Sequence, residues 1–282
     1  MISTYFKILR PTQWLKNLML FFPPFLAGVL LEKGEAVKGV VPIISFCLAS
    51  SSTYVLNDII DREKDLHHPR KKHRAIPSGK ISLPVASILA VALLAAALFI
   101  GFLCNITFFV ILLIYLLVSL SYSLKLKELP IIDLFCISAG FILRLQAGGV
   151  VFGINISEWL FLSVFLLSIF LSTGKRLYEK NAMGENAGNH RKTLMSYPAG
   201  YLDGTMYMTG GAVLVTYTMY VISKHVLVYT VPLCCFGILR YIYRVKRGLG
   251  GDPTDSLLRD VPLFIVGLLW VVMIGWCNYC FY

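Results

Sequence analysis

The chain has 282 residues, 57% of them hydrophobic and only 15% charged, and its mean hydropathy is +0.73. A water-soluble domain of this length needs far more polar surface, so the composition excludes a soluble globular enzyme. The formal net charge of +11 comes with no soluble basic module to present it, which excludes nucleic acid as a partner.

Apolar stretches near the ~20 residues needed to cross a bilayer recur along the whole chain. They predict an all-α fold, a polytopic helical bundle of about nine spans at 12–31, 37–56, 81–103, 106–124, 130–152, 157–174, 204–223, 226–243 and 261–279. No long soluble stretch is left over, so residues 1–282 are expected to form one integral membrane domain. Most of the 26 Lys and Arg residues fall in the first segment, after spans two, four and six, and around the end of span eight. The other side keeps only Lys33, Lys38 and Lys224. This asymmetry predicts a protein of the cell (inner) membrane, with its amino terminus and long loops cytoplasmic and its carboxyl terminus outside. The polar start runs directly into a span-length segment and does not resemble a cleavable signal.

In chain order, the first motif is Arg10-Pro11-Thr12-Gln13-Trp14-Leu15-Lys16-Asn17, an interfacial aromatic among polar groups able to face a head-group cavity. Span two then ends in Asn57-Asp58-Ile59-Ile60-Asp61-Arg62-Glu63-Lys64-Asp65. On a helix Asp58, Asp61 and Asp65 fall within about 60° of one another. Carboxylates so crowded need a cation between them, and hard oxygen ligands that leave room for water suit Mg²⁺ shared with a substrate's phosphates. The basic run His67-His68-Pro69-Arg70-Lys71-Lys72-His73-Arg74 follows at once, so the whole stretch reads as a metal and diphosphate site.

Further along, Tyr122, Lys125 and Lys127 close span four, where the lysines read equally as membrane anchors or phosphate ligands. Asp133 opens span five, placed to cap a helix or hold a cation. Arg144 lies deep within that span, where a charge costs at least ~2.5–3.5 kcal/mol, so a bound phosphate or carboxylate is its expected partner. Lys175-Arg176 with Glu179 closes span six and could grip a phosphate. Asp252-Pro253-Thr254-Asp255 reads as a loop cap. The seven cysteines mostly fall within spans as small apolar residues, and the sequons at Asn105 and Asn155 sit in short turns.

The motif Asn57-Asp58-x-x-Asp61-x-x-x-Asp65 after span two resembles the UbiA superfamily of intramembrane prenyltransferases, over nearly the whole chain. That resemblance implies a helical bundle whose Mg²⁺ ions hold a polyprenyl diphosphate, with a second aspartate-rich motif after span six. Here the corresponding place reads Ser172-Thr173-Gly174-Lys175-Arg176-Leu177-Tyr178-Glu179, without that motif. The departure resembles the decaprenyl-phosphate phosphoribosyltransferase branch. So do Arg10-Pro11-x-Gln13-Trp14-x-Lys16-Asn17, His68-Pro69-x-Lys71-x-x-Arg74-x-Ile76-x-Ser78-Gly79, Leu143-Arg144 and Gly174-Lys175-Arg176. The branch implies transfer of 5-phosphoribose from 5-phosphoribosyl 1-diphosphate to a polyprenyl phosphate, with release of diphosphate, and a place in cell wall biosynthesis. It implies Asn57, Asp58, Asp61 and Asp65 as Mg²⁺ ligands, the three aspartates being catalytic. Gln13, Lys16, Asn17, Asn57, Lys71, Arg74, Tyr122, Lys125, Lys127, Arg144, Lys175 and Arg176 are then the substrate-binding set. The rival readings are an aromatic prenyltransferase, using a polyprenyl diphosphate and a 4-hydroxybenzoate-type acceptor, and a transporter or lipid flippase. The oligomeric state stays open, a homo-oligomer included.

Overall fold

The computed structural model describes residues 6–66, 71–183, 192–224 and 227–280, and among them no strand forms. The long helices are α1 (Val40–Ile60), α2 (Leu83–Cys104), α3 (Ile106–Leu124), α4 (Ile132–Phe152), α5 (Glu158–Met183), α6 (Tyr201–Ile222), α7 (Val231–Lys246) and α8 (Val261–Cys280). Among the described residues, six helical stretches are long and apolar enough to cross a membrane: Glu35–Ile60, Leu83–Cys104, Ile106–Leu124, Ile132–Phe152, Glu158–Ala182 and Val261–Tyr279.

The other three expected spans fall outside these six. The stretch 12–31 is a 3₁₀ segment, Pro11–Phe21, followed by the short helix Phe22–Leu26. Pro23 and Pro24 remove two amide donors there, because proline has no backbone N–H to give a helical ladder. The stretch 204–223 is α6, whose Thr205, Thr209, Thr216 and Thr218 turn their hydroxyls back onto carbonyls four residues earlier. The stretch 226–243 becomes a 3₁₀ turn, Leu227–Thr230, and the 16-residue α7. The sixth span, expected to stop at 174, runs on to Met183, because Lys175–Lys180 are ordinary helix formers rather than a loop.

Caps end these helices where the polar residues sit. The side chain of Asn105 accepts from the amides of Thr107 and Phe108, so the first sequon is the N-cap of α3. Ser157 Oγ accepts from the Leu160 amide at the start of α5. Asp252 caps the short helix Pro253–Arg259 through the amides of Thr254 and Asp255, as its sequence indicates.

The chain packs as two compact units. The first comprises Met1–Pro23, Leu30–Lys127 and Leu143–Ile154. Its core joins Leu20, Phe46, Ala49, Ala97, Phe108, Leu112, Tyr115, Leu116 and Ala147. Small residues let α1 and α2 approach closely, and Ser45 and Ser52 donate across to the carbonyls of Ala97 and Ala90, both at 2.8 Å. A second cluster, Ile8, Val55, Ile76, Ile81, Ala86 and Ala90, pins the segment before Pro11 and the loop around Ile76 to the end of α1. The second unit comprises Pro24–Val29, Glu128–Ile142 and Asn155–Tyr282, with a core of Phe170, Leu177, Tyr197, Leu202, Met206, Val213, Ile238, Tyr241 and Val245.

Polarity runs opposite to that of a soluble protein. Ser50, Ser51, Ser52 and Asn17 are buried and hydrogen-bonded, while Ile88 (70% exposed), Phe99 (65%) and Trp276 (61%) point outward. Apolar exteriors and internally satisfied polar groups are what a bilayer solvent selects.

Candidate active site

The last turns of α1 carry the acidic motif. Asp61 ends the helix with φ −90° and ψ 7°, yet the ladder continues: the Asp61 amide donates to Asn57 O (2.9 Å) and the Asp65 amide to Asp61 O (2.8 Å). Asp58, Asp61 and Asp65 therefore lie along one near-helical path, Asp58 and Asp65 being buried. Each is bonded to a cation. Arg74 Nη1 donates to Asp58 Oδ1 at 2.9 Å and to Asp65 Oδ2 at 2.7 Å. Lys127 Nζ, itself buried, donates to both oxygens of Asp61 at 2.7 Å and to Asn57 Oδ1 at 3.4 Å. The third cation, Arg10, also bonds Asp58 Oδ1, and its guanidinium lies 4.9 Å from the centre of the Tyr54 ring. Arg10 stands in the left-handed region (φ 53°, ψ 61°), a conformation costing a residue with a Cβ about 1–2 kcal/mol.

A polar stripe continues down α1 from this cluster through Tyr54, Ser51, Ser50 and Cys47. Trp14 Nε1 donates to Ser51 Oγ (3.0 Å), and Asn17 Nδ2 to Ser50 Oγ (3.3 Å) and Cys47 Sγ (3.2 Å). Arg144 meets the stripe here: Nε donates to Asn17 Oδ1 (2.7 Å) and Nη2 to Tyr115 Oη (3.0 Å). The guanidinium also lies 4.6 Å from the Tyr115 ring centre and 5.9 Å from that of Phe46. Asn17, Tyr115 and Phe46 are neutral, so these contacts solvate the buried charge without cancelling it. Ser50 precedes Asp58 by eight residues, which places this level about 12 Å deeper along the helix axis.

The second unit holds a separate charged cluster. Arg176 (2% exposed) donates from Nε to Asp133 Oδ2 (2.8 Å) and from Nη1 to Glu179 Oε2 (2.7 Å), while Asp133 is fully buried. Tyr197 donates to Asp133 Oδ1 (2.8 Å) and accepts from the Ile131 amide (2.7 Å), Ile131 being held at φ 69°. Burial, together with the Asp133 charge, pushes the Tyr197 phenol above its ordinary range, so it stays a donor. Lys175 Nζ bonds Asp252 Oδ2 at 2.8 Å. Gly174 is required here, because a Cβ would stand 2.6 Å from the Tyr241 ring, whose hydroxyl ties Leu171 O to Gly251 O. Beyond it, Asp260 accepts from Arg240 and Arg244, and chiefly the Arg240 hydrogen bonds hold its carboxyl down at about 2.

Of the residues marked in the sequence, Asn57, Asp58, Asp61, Asp65, Arg74 and Lys127 come together at one helix end, and Asn17 and Arg144 at a deeper level. Gln13 and Lys16 are half-buried in the same 3₁₀ segment as Asn17, Tyr122 is half-buried near the end of α3, and Lys125 is exposed. Lys175 and Arg176 belong to the second unit. Lys71 begins a short 3₁₀ turn and its side chain lies outside the described residues, as do residues 67–70. Sequence reasoning missed Tyr115 and Tyr197, and it quoted Arg10 in the first motif without placing it among the site residues. Arg10 was visible as a cation next to Pro11 and Trp14 but reads equally as a topology charge, and Tyr197 lies 64 residues from its partner Asp133.

Among the described residues no group of three or more His, Cys, Asp or Glu converges on one point as a metal cage. The donor chemistry nevertheless fits Mg²⁺. Three carboxylates and one amide oxygen follow one helical path, and Asp58 Oδ1 and Asp65 Oδ2 already receive cationic donors.

Apolar outward faces and a buried, charge-matched acidic cluster define an integral membrane protein. The chain belongs to the UbiA prenyltransferase family, whose sequence model matches residues 21–268. It is 33% identical over 280 residues to the decaprenyl-phosphate phosphoribosyltransferase of Corynebacterium glutamicum, covering 95% of this chain and 84% of that one. To the protein of the same name from Mycolicibacterium smegmatis it is 32% identical over 293 residues, covering 98% and 92%. Its fold resembles that of a UbiA homologue from Archaeoglobus fulgidus solved with GPP and Mg²⁺, with a TM-score of 0.75 at 19% identity, covering 98% and 99% of the two chains.

Proposed function

We propose that this chain transfers 5-phosphoribose from 5-phosphoribosyl 1-diphosphate to a polyprenyl phosphate, releasing diphosphate. One observation carries the reading. The helix end with Asn57, Asp58, Asp61 and Asp65 also gathers Arg74 and Lys127, in a chain whose near-full-length relatives are named for this transfer. The family match runs through residues of both units, which supports one functional domain.

Asn57, Asp58, Asp61 and Asp65 would hold Mg²⁺, which supplies Lewis-acid neutralisation of the donor's diphosphate. Arg74, Lys127, Lys16 and Lys71 complement the phosphates, with Gln13, Tyr122 and Lys125 at the rim. An oxygen of the lipid phosphate attacks the anomeric carbon with inversion. The bond from that carbon to the diphosphate oxygen breaks, and its electron pair leaves with the diphosphate. The nucleophile is already an anion, so no proton has to move, and positioning and charge stabilisation supply most of the rate. Within the second unit, Lys175 is the cation of the pair after Gly174 more open to a phosphate, its side chain being 35% exposed against 3% for Arg176. Asn17 and Arg144 lie at the deeper level of the same polar stripe. The amino terminus and these loops face the cytoplasm, where the soluble donor is found.

The reading is tested by pyrophosphate release from lipid-reconstituted protein given Mg²⁺, 5-phosphoribosyl 1-diphosphate and a polyprenyl phosphate. A parallel reaction contains a polyprenyl diphosphate and 4-hydroxybenzoate. Release in the first alone, with a lipid-linked phosphoribose seen by mass spectrometry, is expected. Asp58→Ala and Asp61→Ala should abolish it while the protein stays folded. Release in the second alone would make the chain an aromatic prenyltransferase.

A further inference from the structure

Arg10 stands apart from the other two cations of the acidic cluster. Arg74 bridges Asp58 and Asp65, and Lys127 closes on both oxygens of Asp61, so each already satisfies the carboxylates it faces. Arg10 adds a second guanidinium to the one Asp58 oxygen that Arg74 already holds. Two like charges thus share a single acceptor atom, an arrangement favoured only while the surrounding carboxylates outweigh their repulsion. With Asp58, Asp61 and Asp65 on one side and Arg10, Arg74 and Lys127 on the other, the formal charges of the cluster cancel.

The position of Arg10 suits a side chain that changes partner. It is tethered at its backbone, its amide donating to Lys7 O and its carbonyl accepting from Gln13 N, while the side chain is 23% exposed. Its other neighbour is the face of Tyr54, a surface along which a planar guanidinium slides without losing a directional bond. The left-handed backbone immediately before Pro11 aims the side chain at the cluster and leaves the 3₁₀ segment after it undisturbed. A divalent cation taking oxygens of Asp58 competes directly with the Arg10 guanidinium. Once it is bound, the cluster carries excess positive charge, which an incoming diphosphate matches. The displaced guanidinium is then a fork-shaped donor beside that diphosphate, held by fewer carboxylates than Arg74.

We propose that Arg10 is an exchange residue for the donor: it holds Asp58 until metal enters, then passes to the donor's diphosphate, so that metal loading and donor binding are linked through one side chain. The inference rests on the proposed assignment of the acidic motif to a metal-bound diphosphate, and it adds a residue and an order of events. It makes removal of Arg10 act with opposite signs on the two ligands. Loss of a competing cation strengthens metal binding, and loss of a phosphate donor weakens substrate binding.

The test uses full-length protein in lipid nanodiscs, with Mn²⁺ as the metal probe followed by electron paramagnetic resonance in the absence of donor. Arg10→Gln should bind Mn²⁺ roughly five-fold or more tightly than wild type, with a KM for 5-phosphoribosyl 1-diphosphate raised about ten-fold or more. Arg10→Lys keeps the charge but loses the fork, and both its values should fall between. An Mn²⁺ affinity that is unchanged or weaker in Arg10→Gln overturns the proposal, since a purely structural or purely phosphate-binding arginine gives that result. So does an unchanged KM. Should Arg10→Gln fail to fold by size exclusion, Arg10→Lys carries the test, and wild-type values for both ligands there are equally fatal. Failure of the proposed transfer shows up separately, as absent turnover in wild type. The Mn²⁺ titration, and its counterpart with inorganic pyrophosphate in place of the donor, need no turnover.

Discussion

Single side chains carry the electrostatic character of this molecule, and Asp260 illustrates how. Its carboxylate accepts two bonds from Arg240 (both 3.0 Å) and one from Arg244 (2.6 Å), and Arg244 is itself buried. These partners, with the Leu263 amide, lower its pKa from the ordinary 3.8 to about 2. The depressed value means that the ionised form is favoured by folding. The stabilisation is complete above the unfolded pKa and is lost as pH falls from there through the folded one. Asp260→Asn should therefore cost about 3–5 kcal/mol at neutral pH, because Arg244 loses its counter-charge while remaining buried. Thermal midpoints in nanodiscs from pH 7 to pH 2.5 should show the gap between wild type and variant narrowing below about pH 4. A gap independent of pH would show that packing, and not the ionised carboxylate, is what the variant loses.

Helices in this protein meet through glycines, and space at those positions decides what each tolerates. A Cβ on Gly148 would stand 2.2 Å from the Leu20 carbonyl oxygen, which is main chain and cannot turn aside. One on Gly174 would meet the Tyr241 ring at 2.6 Å, while at Gly211 and Gly237 there is open space. Gly148→Ala and Gly174→Ala should each destabilise by about 1–3 kcal/mol, as overpacked sites do, and Gly211→Ala and Gly237→Ala should leave the thermal midpoint near wild type. Equal effects at all four would mean helix propensity rather than packing governs these sites. Gly148→Ala should also raise the donor KM, since Leu20 belongs to the 3₁₀ segment that carries Lys16 and Asn17. The apolar helices themselves were readable from composition, because a span must be continuous and apolar. The 3₁₀ form of Pro11–Phe21 was not, because the apolar run that continues past it to Leu31 hides the polar Thr12, Gln13, Lys16 and Asn17 inside a span-length stretch.

For the whole molecule, the distribution of lysine and arginine makes a prediction about sidedness. The exposed Lys125, replaced by cysteine in a background without reactive native thiols, should be labelled by an impermeant maleimide only from the cytoplasmic face. Leu31→Cys, also exposed, should be labelled only from outside. The reverse pattern would invert the proposed orientation and remove the soluble donor from the site.

The sequence by itself determined the membrane class, the helical fold and the acidic helix end, because bilayer insertion and helical periodicity are local constraints written in consecutive residues. It also marked Arg74, Lys127, Asn17 and Arg144 as candidates, since charged or amide side chains at a membrane are costly wherever they pack. Only the tertiary structure decided which cation meets which carboxylate. Lys127 reaches Asp61 across 66 residues, Arg10 reaches Asp58 across 48, and Tyr197 reaches Asp133 across 64. Such pairings depend on how helices and loops pack rather than on spacing along the chain, so no local pattern announces them. For the same reason the neutral neighbours of Arg144, namely Asn17, Tyr115 and Phe46, were not named from the sequence: they come together only where the folded chain brings Gly148 close to Leu20.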